Sequence, residues 1–131
     1  MPNPSDYLYT KEHEWIKVDG DTGTIGITDH AQESLGDIVF VEFPKVGQTI
    51  TAGKSFGTVE SVKAVSELFA PVSGTVTAVN DELIASPEKV NTDAAAAWMV
   101  KVQLAASAKD ELKSLMSAAD YEKYVAEEVA H

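Results

Sequence analysis

The segment Glu60-Ser61-Val62-Lys63-Ala64-Val65-Ser66-Glu67 most constrains the fold, because it joins two strand-like runs, Ser55 to Val62 and Val65 to Phe69, with no glycine or proline between them. Two β-rich runs this close must reverse within a few residues, which puts Lys63 on the tip of a hairpin rather than inside a catalytic pocket. Hairpin turns usually recruit Asn-Gly-like pairs, so the missing glycine counts against a simple two-residue turn. From the residues alone, a solvated lysine on a turn is the plain reading of Lys63.

The rest of the first two thirds is also strand-like. Glu14-Trp15-Ile16-Lys17-Val18 alternates and stops at Asp19-Gly20-Asp21, and Thr22 to Ile27 resumes with Ile25 and Ile27 on one face, which predicts a hairpin. Asp29 and Gln32 have capping-box spacing, Ala31 and Leu35 share a helical face, and Gly36 fits a helix stop, so a short helix is expected over 29–35. Further strands are expected at Ile38 to Phe43, Gly74 to Val79 and Met99 to Leu104, punctuated by Pro44, Gly47, Gly53, Pro71, Gly74 and Pro87. Many short strands with such breaks predict a mainly β barrel or sandwich.

The tail changes period. Ser107 and Asp110 have capping-box-like spacing, and Leu112, Leu115 and Met116 follow at i, i+3, i+4, which predicts an amphipathic helix on the β layer. Tyr121, Tyr124 and Val125 predict a second, shorter helix, so the helical extension covers about 108–128, and the acidic end from Glu127 to His131 is expected to fray. Gly57-Thr58-Val59 with Val62 is echoed by Gly74-Thr75-Val76 with Val79, a weak hint of two related half-sheets.

Size and charge narrow the function. The chain has 131 residues, which suits a single domain spanning 1–131 with one modest core. It has no cysteine, which removes disulfides, thiolate zinc sites and a cysteine nucleophile. No apolar run approaches the roughly 18–20 residues of a membrane span. Met1-Pro2-Asn3-Pro4-Ser5-Asp6 lacks the basic and apolar regions of a secretory signal, so a soluble, intracellular protein is expected. With 21 acidic against 10 basic residues the formal charge is −11, which disfavours nucleic acid and anionic membranes and favours basic patches on partner proteins.

Other chemistry is thinly represented. His13 and His30 could join Glu12 or Glu14 around a metal, but the spacing is not that of a ligand set, and no metal is expected. His30 follows the expected helix cap and reads as a locally packed or hydrogen-bonded side chain. Thr28, Asp29, Ser66 and Ser73 build no recognisable Ser-His-Asp order, and the glycines lack a phosphate-loop context. Trp15, Phe40, Phe43 and Trp98 read as core or edge packing.

Three stretches together carry a resemblance. Thr24-Ile25-Gly26-Ile27-Thr28-Asp29-His30-Ala31-Gln32, Gly36-Asp37-Ile38-Val39-Phe40-Val41 and Glu60-Ser61-Val62-Lys63-Ala64 fall in the order found in the glycine cleavage system H proteins. The chain resembles that family from about Tyr7 through Trp98-Met99-Val100-Lys101 to Tyr121. The resemblance implies a lipoyl/biotinyl-type barrel-sandwich hybrid, a flattened β-barrel, with extra helices including one at the C-terminus.

It also implies that Lys63 carries lipoate in amide linkage, with Glu60, Ser61, Val62 and Ala64 as the motif around the attachment point. A lysine ammonium holds its proton at neutral pH, so a lipoylating enzyme must reach it, deprotonate it and present an activated acyl group, which requires exposure. In such systems a pyridoxal-phosphate (PLP) glycine decarboxylase loads an aminomethyl group on the arm and a tetrahydrofolate-dependent aminomethyltransferase unloads it. Dihydrolipoyl dehydrogenase, using FAD and NAD, then restores the disulfide. The carrier itself has no catalytic residues; a tethered arm turns diffusion between active sites into a local search. The loaded amine is cationic and decomposes in water, and members of the family fold the loaded arm back into a surface cleft; Glu14 stands at a matching position and Glu67 where the family commonly has an aspartate, so the resemblance implies both as carboxylates that shelter the amine, though both could equally be solvated strand-surface acids. Glu12 and Ser34 depart from the serine and histidine that some members carry there.

Two other readings stay open. A biotinyl carrier domain of a carboxylase shares the hairpin logic but usually flanks its lysine with methionines, whereas Val62 and Ala64 stand here. An unmodified acidic interaction domain is the other, and a stand-alone enzyme ranks last. The expected setting is the bacterial cytosol, with a mature mitochondrial protein as the alternative, and the expected state is a monomer, since a carrier visiting several active sites gains little from hidden surface.

Overall fold

The computed structural model describes the backbone of residues 3–129 and the side chains of residues 3–127. The strands are β1 (Leu8–Tyr9), β2 (Glu14–Asp19), β3 (Thr22–Ile27), β4 (Ile38–Glu42), β5 (Thr49–Ile50), β6 (Ser55–Ser61), β7 (Val65–Phe69), β8 (Gly74–Val79) and β9 (Val100–Leu104). The helices are α1 (Asp29–Leu35), α2 (Asp81–Ala85), α3 (Lys89–Thr92), α4 (Ala108–Leu112) and α5 (Ala118–Val129).

All strand pairs are antiparallel. One sheet runs β1-β2-β3-β9-β8-β5 and the other β4-β6-β7. Ile16, Ile25 and Val102 of the large sheet share one core cluster with Val41, Val59 and Leu68 of the small one. The mainly β fold is therefore a barrel-sandwich of two sheets over a common core, flattened and not closed into a continuous cylinder.

Period-2 alternation explains the β2–β3 hairpin. Asp19 pairs with Thr22, Gly20 adopts φ 61° in the two-residue turn, and Ile16 faces Ile25 in the core. The opposite face of β2 is buried too. Trp15 stacks on Tyr7 at a ring separation of 4.5 Å, donates its indole N–H to the Ala94 carbonyl at 3.1 Å, and joins Tyr9, Ala118 and Tyr121 in a second cluster under α5.

The echoed glycines meet the same requirement in different sheets. A Cβ on Gly57 would stand 2.4 Å from the Glu42 carbonyl oxygen, and one on Gly74 would stand 2.5 Å from that of Gln103. Each lets a neighbouring backbone come closer than any side chain allows.

Several expectations need correction. The cap of α1 is Thr28, whose hydroxyl accepts the Ala31 N–H at 3.2 Å; Asp29 is the first helical residue and accepts instead from the Gln32 side chain. The strands expected to reach Phe43 and Val62 end at Glu42 and Ser61, and the last strand begins at Val100 rather than Met99. The first tail helix stops at Leu112, because Met116 leaves the helical path to exchange two backbone hydrogen bonds with Tyr9, both 2.8 Å. Leu112 and Leu115 still pack on the core, so their spacing is satisfied through turns. Ser107 makes no helix cap and donates to Glu111 instead. The second tail helix is the longer one, at 12 residues, and runs through Val129; the rest of the expected frayed end, Ala130 and His131, lies outside the described residues, as do Met1 and Pro2. Of the aromatics expected in the core or at its edge, Phe40 is at the edge, half-exposed on β4.

Candidate functional site

Lys63 sits in the three-residue connection between β6 and β7, and Val62, Lys63 and Ala64 are all exposed. Ser61 replaces the missing glycine. Its hydroxyl oxygen accepts the N–H of Lys63 at 3.3 Å and of Ala64 at 3.1 Å, while its backbone N–H donates to the Ala64 carbonyl at 2.8 Å. A serine side chain thus supplies the turn contacts, as in other Ser/Thr turns. No residue of the connection needs a positive φ.

The hairpin is anchored from outside. Val62 N–H donates to the Asp37 carbonyl at 3.1 Å, and Asn91 on α3 holds the adjoining segment. Asn91 accepts the Ile38 N–H at 2.8 Å and donates to the Gly36 carbonyl at 2.8 Å and the Gln32 side chain at 2.9 Å. Gly36, at φ 80°, ends α1 and lies beside the lysine stem: a Cβ there would stand 3.7 Å from Lys63 Cε.

A groove of about 290 Å³ lies between α1 and β7, lined by Leu35, Ser34, Ala31, His30 and Ser66 and by His13 and Glu12. Glu12 also borders a larger cleft of about 440 Å³, whose wall includes Thr10, Glu14, Phe69 and Glu111. β7 is an edge strand, and its last residue, Phe69, borders the cleft.

Glu14 is 2% exposed, which excludes the solvated-surface reading for it. Thr10 donates its hydroxyl to Oε1 at 2.7 Å, and Phe69 donates its backbone N–H to Oε2 at 3.1 Å. Burial nevertheless dominates and pushes the carboxyl up to about 7, with the nearby Glu12 charge adding to the rise and the Thr10 and Phe69 bonds opposing it. Glu67 is exposed on β7, opposite Thr58, and is not part of the cleft wall with Glu14. Across the cleft, Glu111 accepts the N–H and hydroxyl of Ser73 at 2.7 and 2.8 Å. Burial opposes its charge, but the Ser73 and Ser107 bonds prevail and hold its carboxyl below the usual range.

His13 and His30 are close, with ring centroids 4.7 Å apart. His13 has φ 71°, and its Nδ1 lies 2.7 Å from the Tyr121 hydroxyl, which is also 2.7 Å from Thr28 Oγ1. Among the described residues no group of three or more His, Cys, Asp or Glu side chains could hold a metal ion. Ser34 lines the groove and Glu12 joins groove to cleft. Sequence reasoning missed Thr10, Asn91 and Tyr121. Their roles rest on contacts with the Glu14 side chain, the 36–38 segment and the α1 cap, and no periodic pattern marks those.

The model of the glycine cleavage H-protein family matches residues 7–128. The chain belongs to that family. It is 71% identical over the full length of both chains to the glycine cleavage system H protein of Koribacter versatilis, and 63% identical, again over both full lengths, to that of Acidobacterium capsulatum. The glycine cleavage system H protein of Carboxydothermus hydrogenoformans is 60% identical over 126 residues, 95% of each chain. Among solved structures, the glycine cleavage system H protein of Mycobacterium marinum superposes with a TM-score of 0.81 at 42% identity, covering 90% of this chain and 94% of that one. An H-protein is a carrier component of the glycine cleavage system and not itself a catalyst.

Proposed function

We propose that this chain carries the aminomethyl group of the glycine cleavage system on a lipoyl-lysine arm at Lys63. The observation that carries the reading is the pairing of an exposed Lys63, on a turn built by Ser61 and beside the end of α1, with a groove along α1 that shares Glu12 with the cleft of the buried Glu14. Lipoate bound there would supply a dithiolane that takes up the one-carbon amine reductively and is reoxidised afterwards.

The chain's own residues do the rest. The turn holds the lysine out for the lipoylating enzyme and for three partners: glycine decarboxylase with PLP, aminomethyltransferase with tetrahydrofolate, and dihydrolipoyl dehydrogenase with FAD and NAD. Glu14 receives the cationic amine of the cargo. Its carboxyl is costly to ionise in a buried site, and an arriving ammonium favours the ionised form and a charge-assisted hydrogen bond. Glu67, the other carboxylate that the resemblance implies, lies outside both linings and on the face of β7 away from Ser66, so the shelter rests on Glu14. The groove walls keep bulk water from the cargo while it waits.

Intact mass spectrometry after incubation with a competent lipoate ligase tests this. A lipoyl increment that maps to Lys63 and disappears in Lys63→Arg is expected, together with glycine–bicarbonate exchange by glycine decarboxylase that needs the modified form. A bare Lys63 beside a modified control acceptor, or a biotinylated band on a streptavidin blot, would overturn the proposal.

A further inference from the structure

The outer face of the small sheet, next to Lys63, carries apolar side chains that the core does not use. A regular β4 would alternate and place Phe40 on the buried face of Ile38. Instead the register with β6 shifts between Ile38 and Phe40, and Val39 and Phe40 are both turned out, 53% and 46% exposed. Bulges of this kind re-aim side chains and concentrate beside functional sites. Glu60 pairs with Phe40 on one side and with Val65 on the other, so the three form one cross-strand row on a single face. Val65 is 65% exposed, and Val62, beside Lys63, is 72% exposed.

Glu42 follows two residues after Phe40 on the same side of β4 and is exposed. Neither Glu42 nor Glu60 makes an ion pair among the described residues. The patch is therefore apolar at the hairpin tip and anionic behind it. Ser66, which lines the groove, alternates to the opposite face of β7 from Val65, so an arm resting in the groove leaves this patch uncovered.

We propose that this face, built from Val39, Phe40, Val65 and Val62 with Glu42 and Glu60 behind them, docks the enzyme that loads the arm. The proposal rests on the carrier reading of Lys63. Loading requires the arm to enter another protein's active site, so the entrance must close around the hairpin tip, where Val62 and Val65 flank the turn and Phe40 stands in the first cross-strand row behind it. The matching partner surface is an apolar contact beside an entrance rimmed by Lys and Arg. Clustered exposed apolar residues mark interaction sites, and opposed charge sets orientation and encounter rate. A second copy of this chain fits poorly, because its own face is anionic and its formal charge is −11.

Binding of the unlipoylated protein to glycine decarboxylase, read by fluorescence anisotropy, tests the dock without relying on turnover. The double variant Phe40→Ser, Val65→Ser should weaken binding by about tenfold or more, and Glu42→Lys should weaken it and flatten its salt dependence. With lipoylated protein, the decarboxylase KM should rise to match while kcat stays within about twofold. Far-UV circular dichroism and melting of the variants should match wild type, since all three side chains are exposed. Wild-type affinity in the double variant overturns the dock. So does loss of binding to aminomethyltransferase alone, or a wild-type dimer in light scattering that the double variant dissociates. Failure of lipoylated wild type to support exchange at all would sink the carrier reading instead, so the two failures are distinguishable.

Discussion

Phe69 donates its backbone N–H to Glu14 Oε2 at 3.1 Å, across 55 residues of sequence. One bond thereby ties the edge strand of the small sheet to the large sheet and aims a buried carboxylate into the cleft. Because β7 starts just after the lysine turn and ends at Phe69, the same strand positions both Lys63 and the buried Glu14.

The raised carboxyl makes stability depend on pH. Below the ordinary value of 4.5 folded and unfolded chains both hold the Glu14 proton, and between 4.5 and about 7 only the folded chain does. Stability associated with Glu14 is therefore full below 4.5 and lost as pH rises through about 7, by about 3 kcal/mol in total. Urea unfolding of wild type and Glu14→Gln across this window should show the wild-type slope vanish in the variant.

For the cargo the dependence has the opposite sign. Ionised Glu14 attracts the ammonium and neutral Glu14 does not, so shelter weakens as pH falls below about 7. The lifetime of loaded wild type relative to loaded Glu14→Gln should rise with pH, measured as formaldehyde and ammonia release. Glu14→Ala should shorten it and leave lipoylation intact; unchanged release would refute the protective role.

Ser61→Ala should loosen the lysine turn. It removes the acceptor for the Lys63 and Ala64 amides, at about 1 kcal/mol, since the exposed amides regain water. Hydrogen exchange at those two amides should quicken, and the lipoate ligase KM should rise more than kcat falls. A variant with wild-type exchange there would show that the serine does not build the turn.

Gly57→Ala should destabilise the small sheet. The new methyl would overlap the Glu42 carbonyl oxygen, a backbone atom that cannot rotate away, and the expected loss is about 1–3 kcal/mol. Gly20→Ala, at an open turn position, meets no atom within 4 Å and is strained only by its φ of 61°. Equal denaturation midpoints for Gly57→Ala and wild type would contradict the close approach.

Tyr121→Phe should separate α5 from the cap of α1. The hydroxyl is within 2.7 Å of both His13 Nδ1 and Thr28 Oγ1, and its removal should cost about 1–2 kcal/mol while the stack on Tyr9 remains. Faster amide exchange confined to α5 and the first turn of α1 is expected.

Period-2 patterns placed the strands well in the sequence, and the 29–35 helix and the hairpin at Lys63 were legible because their signals are local. The two-residue strands β1 and β5 and the short helices α2 and α3 were not, since so few residues carry no period. The tail helix was overextended at Met116, where two bonds to Tyr9 outweigh helix propensity. Phe40 reads as core in any alternating pattern; only the bulge beside it turns it out.

The sequence by itself therefore determined the β architecture, the family and the lysine on its tip, because each rests on neighbouring residues or on motif order. Only the tertiary structure decided that Glu14 is buried while Glu67 is exposed, and that the groove between α1 and β7 meets the cleft of Glu14 at Glu12. Both acids occupy strand positions of similar composition. What separates them is whether another sheet edge comes close enough to exclude water, and that depends on packing between segments more than 50 residues apart.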